Sequence, residues 1–247
     1  MSRGEQVFEG IVVGSADFGE AHRIVRFLAA DRGRVSVLAR GARTSKKRFA
    51  GMLDPGTRLR VQLVRGRGSL WVMGDTDRLG GPKRAREELE RIAMLAYACE
   101  VCGALASEEQ PAPKLMKLLL VFLALLEADP TPGAASVLAL EAKALTFSGL
   151  APALVRCAEC GDLLDDGGES LVFDPAAGGA LHARCGGGRA VSGALLKQLE
   201  RLRRTPLADT VSQGVPNSSL RLLAHTVEAH LGRGLRSRSL VDDVVIP

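Results

Sequence analysis

Four residues with metal-binding side chains occur as two closely spaced pairs in the third quarter of the chain. Cys157 and Cys160 form a C-x-x-C pair, and His182 and Cys185 form an H-x-x-C pair after 21 intervening residues. A spacing of two residues lets both side chains of a pair face one ion, and thiolate and imidazole ligands suit Zn²⁺. Because four protein ligands fill a tetrahedral shell, the pattern predicts one structural zinc ion without coordinated water.

Two further interpretations of these cysteines stay open from the residues alone. The thiols could be exposed and carry no metal, or the C-x-x-C pair could be redox-active with the histidine nearby by chance. The segment 154–190 is rich in Gly and Asp and has one short apolar run, so a metal would supply folding free energy that a small core lacks. The second C-x-x-C pair, Cys99 and Cys102, lies in a predicted helix and is interpreted as buried apolar side chains.

The elements that position these groups are predicted from the hydrophobic pattern. The first 80 residues contain five short runs rich in Val, Leu and Ile, separated by turn-forming Gly, Asp and Pro. Two runs alternate apolar and polar residues with the period of a strand, and arginines occupy their outward positions. Five short strands in so few residues predict a small closed barrel of the OB-fold type. The predicted strands are Val7–Gly14, His22–Ala29, Gly33–Arg40, Thr57–Arg65 and Ser69–Asp75.

The chain has a net charge of +5, and its positive charge is concentrated in the predicted barrel. Residues 1–80 contain 15 basic and eight acidic side chains, whereas the remainder is close to neutral. Such segregation indicates binding of a polyanion. Residues 40–49 include five cations, which we interpret as a phosphate-binding loop, a solvated basic loop being the alternative. The candidate nucleic-acid contacts are Arg34, Arg40, Arg43, Lys46, Lys47, Arg48, Arg58, Arg60, Arg65 and Arg67.

Three aromatic rings near these cations have two interpretations. Phe18, Phe49 and Trp71 could stack on bases, each stacked base contributing roughly 1–3 kcal/mol to single-strand binding. The barrel has few other large residues, so the sequence favours Phe49 and Trp71 as parts of its core. Because phosphate contacts do not read base sequence, binding is expected to be largely non-specific and steeply dependent on salt.

After a break at Gly80–Pro82, the spacing of apolar residues becomes that of helices. Pro132 is expected in the first turn of a helix that ends near Ser148, Ser192 is expected to cap the next helix, and the last is expected at Ser219–Leu231. The predicted fold class is therefore α+β with several domains. The expected parts are an OB-fold domain at 1–80, a helical domain at 81–153, an inserted zinc-ribbon-like module at 154–190, and C-terminal helices at 191–247 that pack on the helical domain.

The common catalytic motifs are missing from the sequence. It has no Walker-type phosphate loop, no H-E-x-x-H motif and no G-x-S-x-G nucleophile elbow. We therefore expect a protein that is not an enzyme. The first ten residues lack the apolar core of a signal peptide, and the longest apolar run, Leu118–Leu126, is too short to span a membrane. A cytoplasmic location is expected.

A series of short motifs spans essentially the whole chain. In the N-terminal third they are Asp31–Val35, Ala39–Arg43, Gly51–Leu53 and Pro55-Gly56. Further on they are the two cysteine-containing pairs, the turn from Phe173-Asp174 to Gly178-Gly179, and Leu235–Arg238. In this order the motifs resemble those of the bacterial RecO recombination mediators. One departure is His182, where zinc-bearing members often have cysteine, but imidazole remains a suitable ligand.

The resemblance implies an OB-fold, a helical domain and a zinc module. It also implies binding of single- and double-stranded DNA, strand annealing, partnership with RecR and association with the nucleoid. It further implies loading of the RecA recombinase onto DNA coated by the single-strand DNA-binding protein, whose acidic C-terminal tail contacts RecO. Lys114 and Lys117 beside the run Leu118–Leu126 would suit such a tail, the alternative being a core helix with two solvated lysines.

The leading hypothesis is a non-enzymatic DNA-binding protein of recombinational repair. It binds and anneals single-stranded DNA and helps load a recombinase with a RecR-type partner. A second hypothesis is an RNA-binding OB-fold factor, which a preference for the 2′-hydroxyl would reveal. A third is a zinc-containing protein-interaction adaptor. A fourth is a zinc enzyme, which a full four-ligand shell disfavours.

Overall fold

The chain divides into two compact units, Met1–Glu127 and Ala128–Pro247. The structure is a computed structural model that describes residues 5–45, 48–65, 71–164, 169–216, 219 and 221–245, with the backbone alone for Glu5 and Arg65. Among these residues, no helix combines the length and the apolar character that a membrane crossing requires. The finer division at residues 80, 153 and 190 remains a prediction.

The first unit opens with a closed five-stranded barrel, which confirms the predicted architecture. Strand β1 pairs antiparallel with β2 and β4, and β2 with β3, while β4 pairs antiparallel with β5. Strands β3 and β5 close the barrel in parallel, and within the described residues this seam consists of two residue pairs, Val37–Trp71 and Leu38–Val72. The strands are β1 (Glu5–Phe18), β2 (His22–Ala29), β3 (Gly33–Ala39), β4 (Arg58–Arg65) and β5 (Trp71–Gly80).

The barrel core follows from the alternation of apolar residues along its strands. Strand β3 buries every second residue, as expected for a pleated strand with one face inside. Phe8 and Phe27 meet edge to face with ring centroids 5.3 Å apart. Phe49, from the connection between β3 and β4, is buried in the same core, and Trp71 packs against it, partly buried. The interpretation of Phe49 as a core residue is confirmed.

Two helices complete the first unit, α1 (Leu89–Leu105) and α2 (Pro113–Leu125). Helix α1 packs on β1 and β2, and α2 contacts both α1 and β2. Cys99 and Cys102 are fully buried in α1, and burial raises the pKa of Cys99 to about 12. Both side chains are therefore uncharged thiols that pack like small apolar residues, which confirms their interpretation.

The turn between β2 and β3 docks against the residues that follow α1. Gly33 has a φ of 64°, and a Cβ added to it would lie 2.1 Å from the carbonyl oxygen of Gln110. The N–H of Arg34 donates to the carbonyl of Ser107 at 2.9 Å, and the N–H of Glu109 donates to the carbonyl of Arg34 at 3.2 Å. Both the backbone conformation and the close approach therefore require glycine at this position.

Gly33→Ala is expected to lower the free energy of unfolding of the first unit by about 2–4 kcal/mol, since the left-handed backbone and the steric overlap both oppose a Cβ. Chemical denaturation followed by the fluorescence of Trp71, the single tryptophan, measures this loss. Gly14→Ala is the matched control, because nothing lies within 4 Å of its added Cβ. Similar stability of the two variants would contradict the expectation.

The second unit combines helices with a small three-stranded sheet in which the central strand β6 pairs antiparallel with β7 and β8. Helix α3 packs against α4 and α5. Ser192 caps α4 as predicted, its Oγ accepting the N–H of Leu195 at 3.2 Å. The elements are α3 (Ala134–Phe147), β6 (Leu171–Asp174), β7 (Gly179–His182), β8 (Arg189–Val191), α4 (Gly193–Arg204), α5 (Leu222–Leu231) and α6 (Arg238–Val244).

Two helix predictions differ from the structure, and one helix is not predicted. Helix α3 begins at Ala134, with Gly133 as its N-cap, so the placement of Pro132 in its first turn is wrong. Helix α5 begins at Leu222 rather than at Ser219. Helix α6 is not predicted from the sequence, because its seven residues are too few and too polar to show a helical period.

A buried ion pair joins α6 to α3. Nη1 of Arg238 donates to Oε1 of Glu141 at 2.7 Å, and these side chains are 8% and 0% exposed. Nε of Arg238 also donates to Asp242 at 2.8 Å, and Arg221 contacts Asp242 at 2.7 Å. Because an unpaired buried charge is costly, we expect this pair to hold α6 against α3.

Candidate metal centre and nucleic-acid interface

The two cysteine-containing pairs meet in the second unit. The ligand atoms of Cys157, Cys160, His182 and Cys185 all lie within 4.8 Å of one another. In the first knuckle, residues 157–160, the N–H of Gly161 donates to the carbonyl of Cys157 at 3.0 Å. In the second knuckle, residues 182–185, the N–H of Cys185 donates to the carbonyl of His182 at 2.8 Å. The structure thus brings all four predicted ligands together.

The orientation of His182 identifies which ring nitrogen faces the thiols. His182 is at the end of β7 and is buried. Its Nδ1 lies 3.5 Å from Sγ of Cys160, and its Nε2 lies 3.2 Å from the carbonyl oxygen of Leu163. An N–H on Nε2 that donates to this carbonyl leaves the lone pair of Nδ1 directed at the cluster. Nδ1 is therefore the ligand atom that a metal would use.

The pKa values of two of these cysteines are shifted in opposite directions. Burial opposes the Cys157 thiolate, but backbone N–H groups, including those of Cys160 and His182, outweigh burial and lower the pKa of Cys157 to about 6. Burial and the neighbouring thiols raise the pKa of Cys185 to about 11. Thiols that oppose each other's ionisation can coexist as thiolates beside a divalent cation. Three sulfur ligands and one nitrogen ligand suit tetrahedral Zn²⁺.

The predicted nucleic-acid contacts all belong to the first unit, and six of their ten side chains are described. Lys46, Lys47 and Arg67 lie outside the described residues, and for Arg65 only the backbone, at the end of β4, is described. The described side chains are Arg34, Arg40, Arg43, Arg48, Arg58 and Arg60.

Four of these six side chains make contacts within the protein. Arg48 donates from Nη2 to the carbonyl of Gly74 at 3.0 Å, and its guanidinium lies 4.9 Å from the centroid of the Phe49 ring. The other three pair with acidic residues at distances of 2.8 to 3.3 Å. Because these ion pairs are partly solvated and weak, a phosphate could replace the carboxylate. The pairs are Arg34–Glu108, Arg43–Asp17 and Arg60–Glu9.

Arg40 and Arg58 form no ion pair with any described residue, and the same holds for Arg26, which is not among the predicted contacts. Arg26 is exposed on β2, between the buried residues Val25 and Phe27. Sequence reasoning missed Arg26 because the run His22–Ala29 has no regular alternation of apolar and polar residues. Within the described part of the chain, these three arginines place positive charge on the outside of the barrel that no ion pair compensates.

The structure also places the candidate stacking ring Phe18 and the two lysines suggested to contact an acidic tail. Phe18, at the end of β1, is 45% exposed, so its ring is accessible for stacking. Lys114 and Lys117 are exposed on α2, while the apolar face of that helix is buried. A contact of these lysines with an acidic tail stays a prediction.

Comparison with known proteins adds to this geometry. A model described as Recombination protein O N terminal matches residues 1–73, and one described as Recombination protein O C terminal matches residues 86–239. The chain belongs to the RecO family. DNA repair protein RecO of Myxococcus xanthus (strain DK1622) is 39% identical over 236 residues, which cover 93% of each chain. The RecO of Anaeromyxobacter sp. (strain K) is 36% identical over 244 residues, or 95% of each chain.

Membership of the RecO family confirms the resemblance found in the sequence motifs. It identifies the closed N-terminal barrel as an OB-fold and supports a general role in DNA repair. The RecO of Roseiflexus sp. (strain RS-1) is more distant, at 34% identity over 247 residues. That match covers 96% of this chain and 84% of the relative, so both the barrel and the cysteine-containing unit lie within the shared region.

Proposed function

We propose that this protein binds single-stranded DNA on the basic outer surface of its OB-fold barrel and anneals complementary strands. The observation that carries the proposal is that three outward arginines of the barrel, Arg26, Arg40 and Arg58, form no ion pair with any described residue. A charge excess left uncompensated on one small barrel suits a phosphate backbone. Membership of a DNA repair family selects DNA as the polyanion.

In this proposal the protein acts as a mediator and catalyses no reaction itself. It helps to load a RecA-type recombinase together with a RecR-type partner, and it contacts the acidic C-terminal tail of the single-strand DNA-binding protein. Double-stranded DNA binds through the same backbone contacts, since phosphates present the same charge in both forms. The protein would therefore work at the nucleoid in the cytoplasm.

The metal in this proposal is one structural Zn²⁺ held by Cys157, Cys160, His182 and Cys185. Bound zinc would supply folding free energy to the segment between the two knuckles. Four protein ligands leave no position for a water molecule that could act as a nucleophile. The zinc would therefore shape the second unit without taking part in a reaction.

Removing the unpaired arginines is expected to weaken DNA binding and reduce its salt dependence. For Arg26→Ala/Arg40→Ala, titration of a dT oligonucleotide at several salt concentrations should show a log K–log [salt] slope smaller by about 0.7 for each lost phosphate contact. The same measurement on Lys46→Ala/Lys47→Ala/Arg48→Ala tests the basic loop. If the log K–log [salt] slope is unchanged in both variants, the barrel surface is not part of the DNA-binding site.

Two controls separate this result from general loss of charge or fold. Arg189→Ala removes an exposed arginine of β8 in the second unit and should leave the slope unchanged. An RNA oligonucleotide of the same sequence tests the alternative of an RNA-binding factor, which predicts tighter binding to RNA through its 2′-hydroxyls. Strand annealing, followed by the fluorescence of labelled complementary strands, should fall in parallel with the dT affinity.

A further inference from the structure

Arg184 lies in the second knuckle, between its two candidate ligands in the sequence. Its side chain extends to residues outside that knuckle. Nη1 of Arg184 donates to Oε1 of Glu169, and Nη2 lies 3.6 Å from Oδ2 of Asp162. Asp162 directly follows the first knuckle and its Gly161, and Glu169 precedes β6. One guanidinium therefore connects three segments that surround the candidate zinc site.

Glu169 also reaches the outer nitrogen of the histidine ligand. Oε2 of Glu169 lies 3.5 Å from Nε2 of His182, on the same ring edge that faces the Leu163 carbonyl at 3.2 Å. The N–H on Nε2 donates to the Leu163 carbonyl, and the Glu169 carboxylate lies close to the same nitrogen, so both groups favour one orientation of the ring. Histidine ligands in metalloproteins are commonly oriented by an outer partner of this kind.

The arrangement of charge around the cluster gives Arg184 a second effect. Oδ2 of Asp162 lies 3.5 Å from Sγ of Cys160, so two anions would be adjacent when Cys160 binds a metal as thiolate. Glu169 adds a further carboxylate on the histidine side. The guanidinium of Arg184 lies between these carboxylates and offsets their mutual repulsion.

We propose that Arg184, with Glu169 and Asp162, forms an outer sphere that holds the two knuckles in the relative position that zinc binding requires. Arg184 fixes Glu169, and Glu169 fixes the His182 ring with Nδ1 toward the thiolates. These three are positioning residues, since none supplies an atom to the metal. The assignment rests on the proposed zinc site and adds to it the residues that determine its affinity.

The test measures the affinity of the full-length protein for Zn²⁺ in competition with a chromophoric chelator. Arg184→Met and Glu169→Gln should each raise the zinc Kd by about tenfold or more, the effect typical of lost outer-sphere partners. The double variant should be no weaker than the weaker single variant, because both changes interrupt the same chain of contacts. Arg189→Met, which removes an exposed arginine of β8, should stay within about twofold of wild type.

Two further measurements distinguish positioning from a general loss of structure. Visible absorption of the Co²⁺-substituted protein reports ligand geometry, and its d–d bands should shift in Glu169→Gln while the circular dichroism stays that of wild type. Arg184→Lys keeps the charge but lacks the forked donor group, so it should recover only part of the affinity.

Three outcomes would overturn the assignment. If Arg184→Met and Glu169→Gln both keep the zinc Kd and the Co²⁺ spectrum of wild type, these residues do not position the metal ligands. An equal weakening in Arg189→Met would show a non-specific charge effect. A wild-type protein that binds no Zn²⁺ would refute the metal site itself, and this result is distinct from a difference between variants.

Discussion

Arg238→Met is expected to lower the free energy of unfolding of the second unit by about 3–5 kcal/mol. The change leaves the fully buried carboxylate of Glu141 without the cation that lies 2.7 Å away. Because a buried unpaired charge is unfavourable, α6 should separate from α3 at lower denaturant concentrations. Trp71 and Tyr97, the single residues of their types, are both in the first unit, so their fluorescence does not report directly on the second unit. Hydrogen exchange of α3 and α6 is therefore the appropriate measurement.

Two variants show whether this loss comes from the buried charge. Glu141→Leu/Arg238→Leu replaces both partners by apolar side chains and should recover most of the stability, while Asp242 keeps Arg221 as its partner. Arg204→Met removes a 72% exposed partner of Glu200 and should cost less than about 1 kcal/mol. If Arg238→Met loses no more than Arg204→Met, the pair does not hold α6 in place.

Cys157→Ser is expected to abolish zinc binding, whereas wild-type protein purified without chelator should contain close to one zinc per chain. Structural zinc sites contribute an apparent ~10–16 kcal/mol in small zinc-finger peptides. Strand β6 and most of β7 lie between the two knuckles, so without the metal the amides of these strands should lose most of their protection against hydrogen exchange. Metal analysis and hydrogen exchange on the same preparations measure both effects.

The second C-x-x-C pair supplies the control for this experiment. Cys99→Ala removes a thiol of the same kind from the core of the first unit, where it is fully buried. It should leave the zinc content unchanged and lower the stability of the first unit modestly, through the small cavity that it creates. Wild-type protein that is free of zinc and yet retains exchange protection in β6 and β7 would contradict the structural-zinc hypothesis.

The barrel could be predicted because local sequence determines much of it. In β3, apolar residues occupy every second position from Val35 to Ala39, and turn residues separate this run from its neighbours. The two knuckles could be predicted for a similar reason, since C-x-x-C and H-x-x-C spacings place ligands together within each pair. The expectation that one ion is shared by both pairs predicted their convergence, which the structure shows.

The remaining features depend on contacts between residues that are distant in the sequence. The pairing of Arg34 with Glu108 brings a predicted DNA contact against the segment after α1, and nothing local to Arg34 indicates this. Helix α6 depends on Arg238 reaching Glu141, 97 residues away. Leu163 contacts the candidate metal ligand His182 through its backbone carbonyl, and the identity of its side chain gives no sign of this contact.

The parallel seam between β3 and β5 bears on the tendency of the barrel to pair with other chains. It has two residue pairs among the described residues, whereas β2 and β3 share seven, so transient opening costs least at this seam. An opened seam exposes two strand edges that another chain could join by β-sheet pairing. Arg40, just after the end of β3, is exposed and places a positive charge beside that edge. A positive charge beside an open strand edge is expected to disfavour pairing with another chain, in addition to suiting a phosphate backbone.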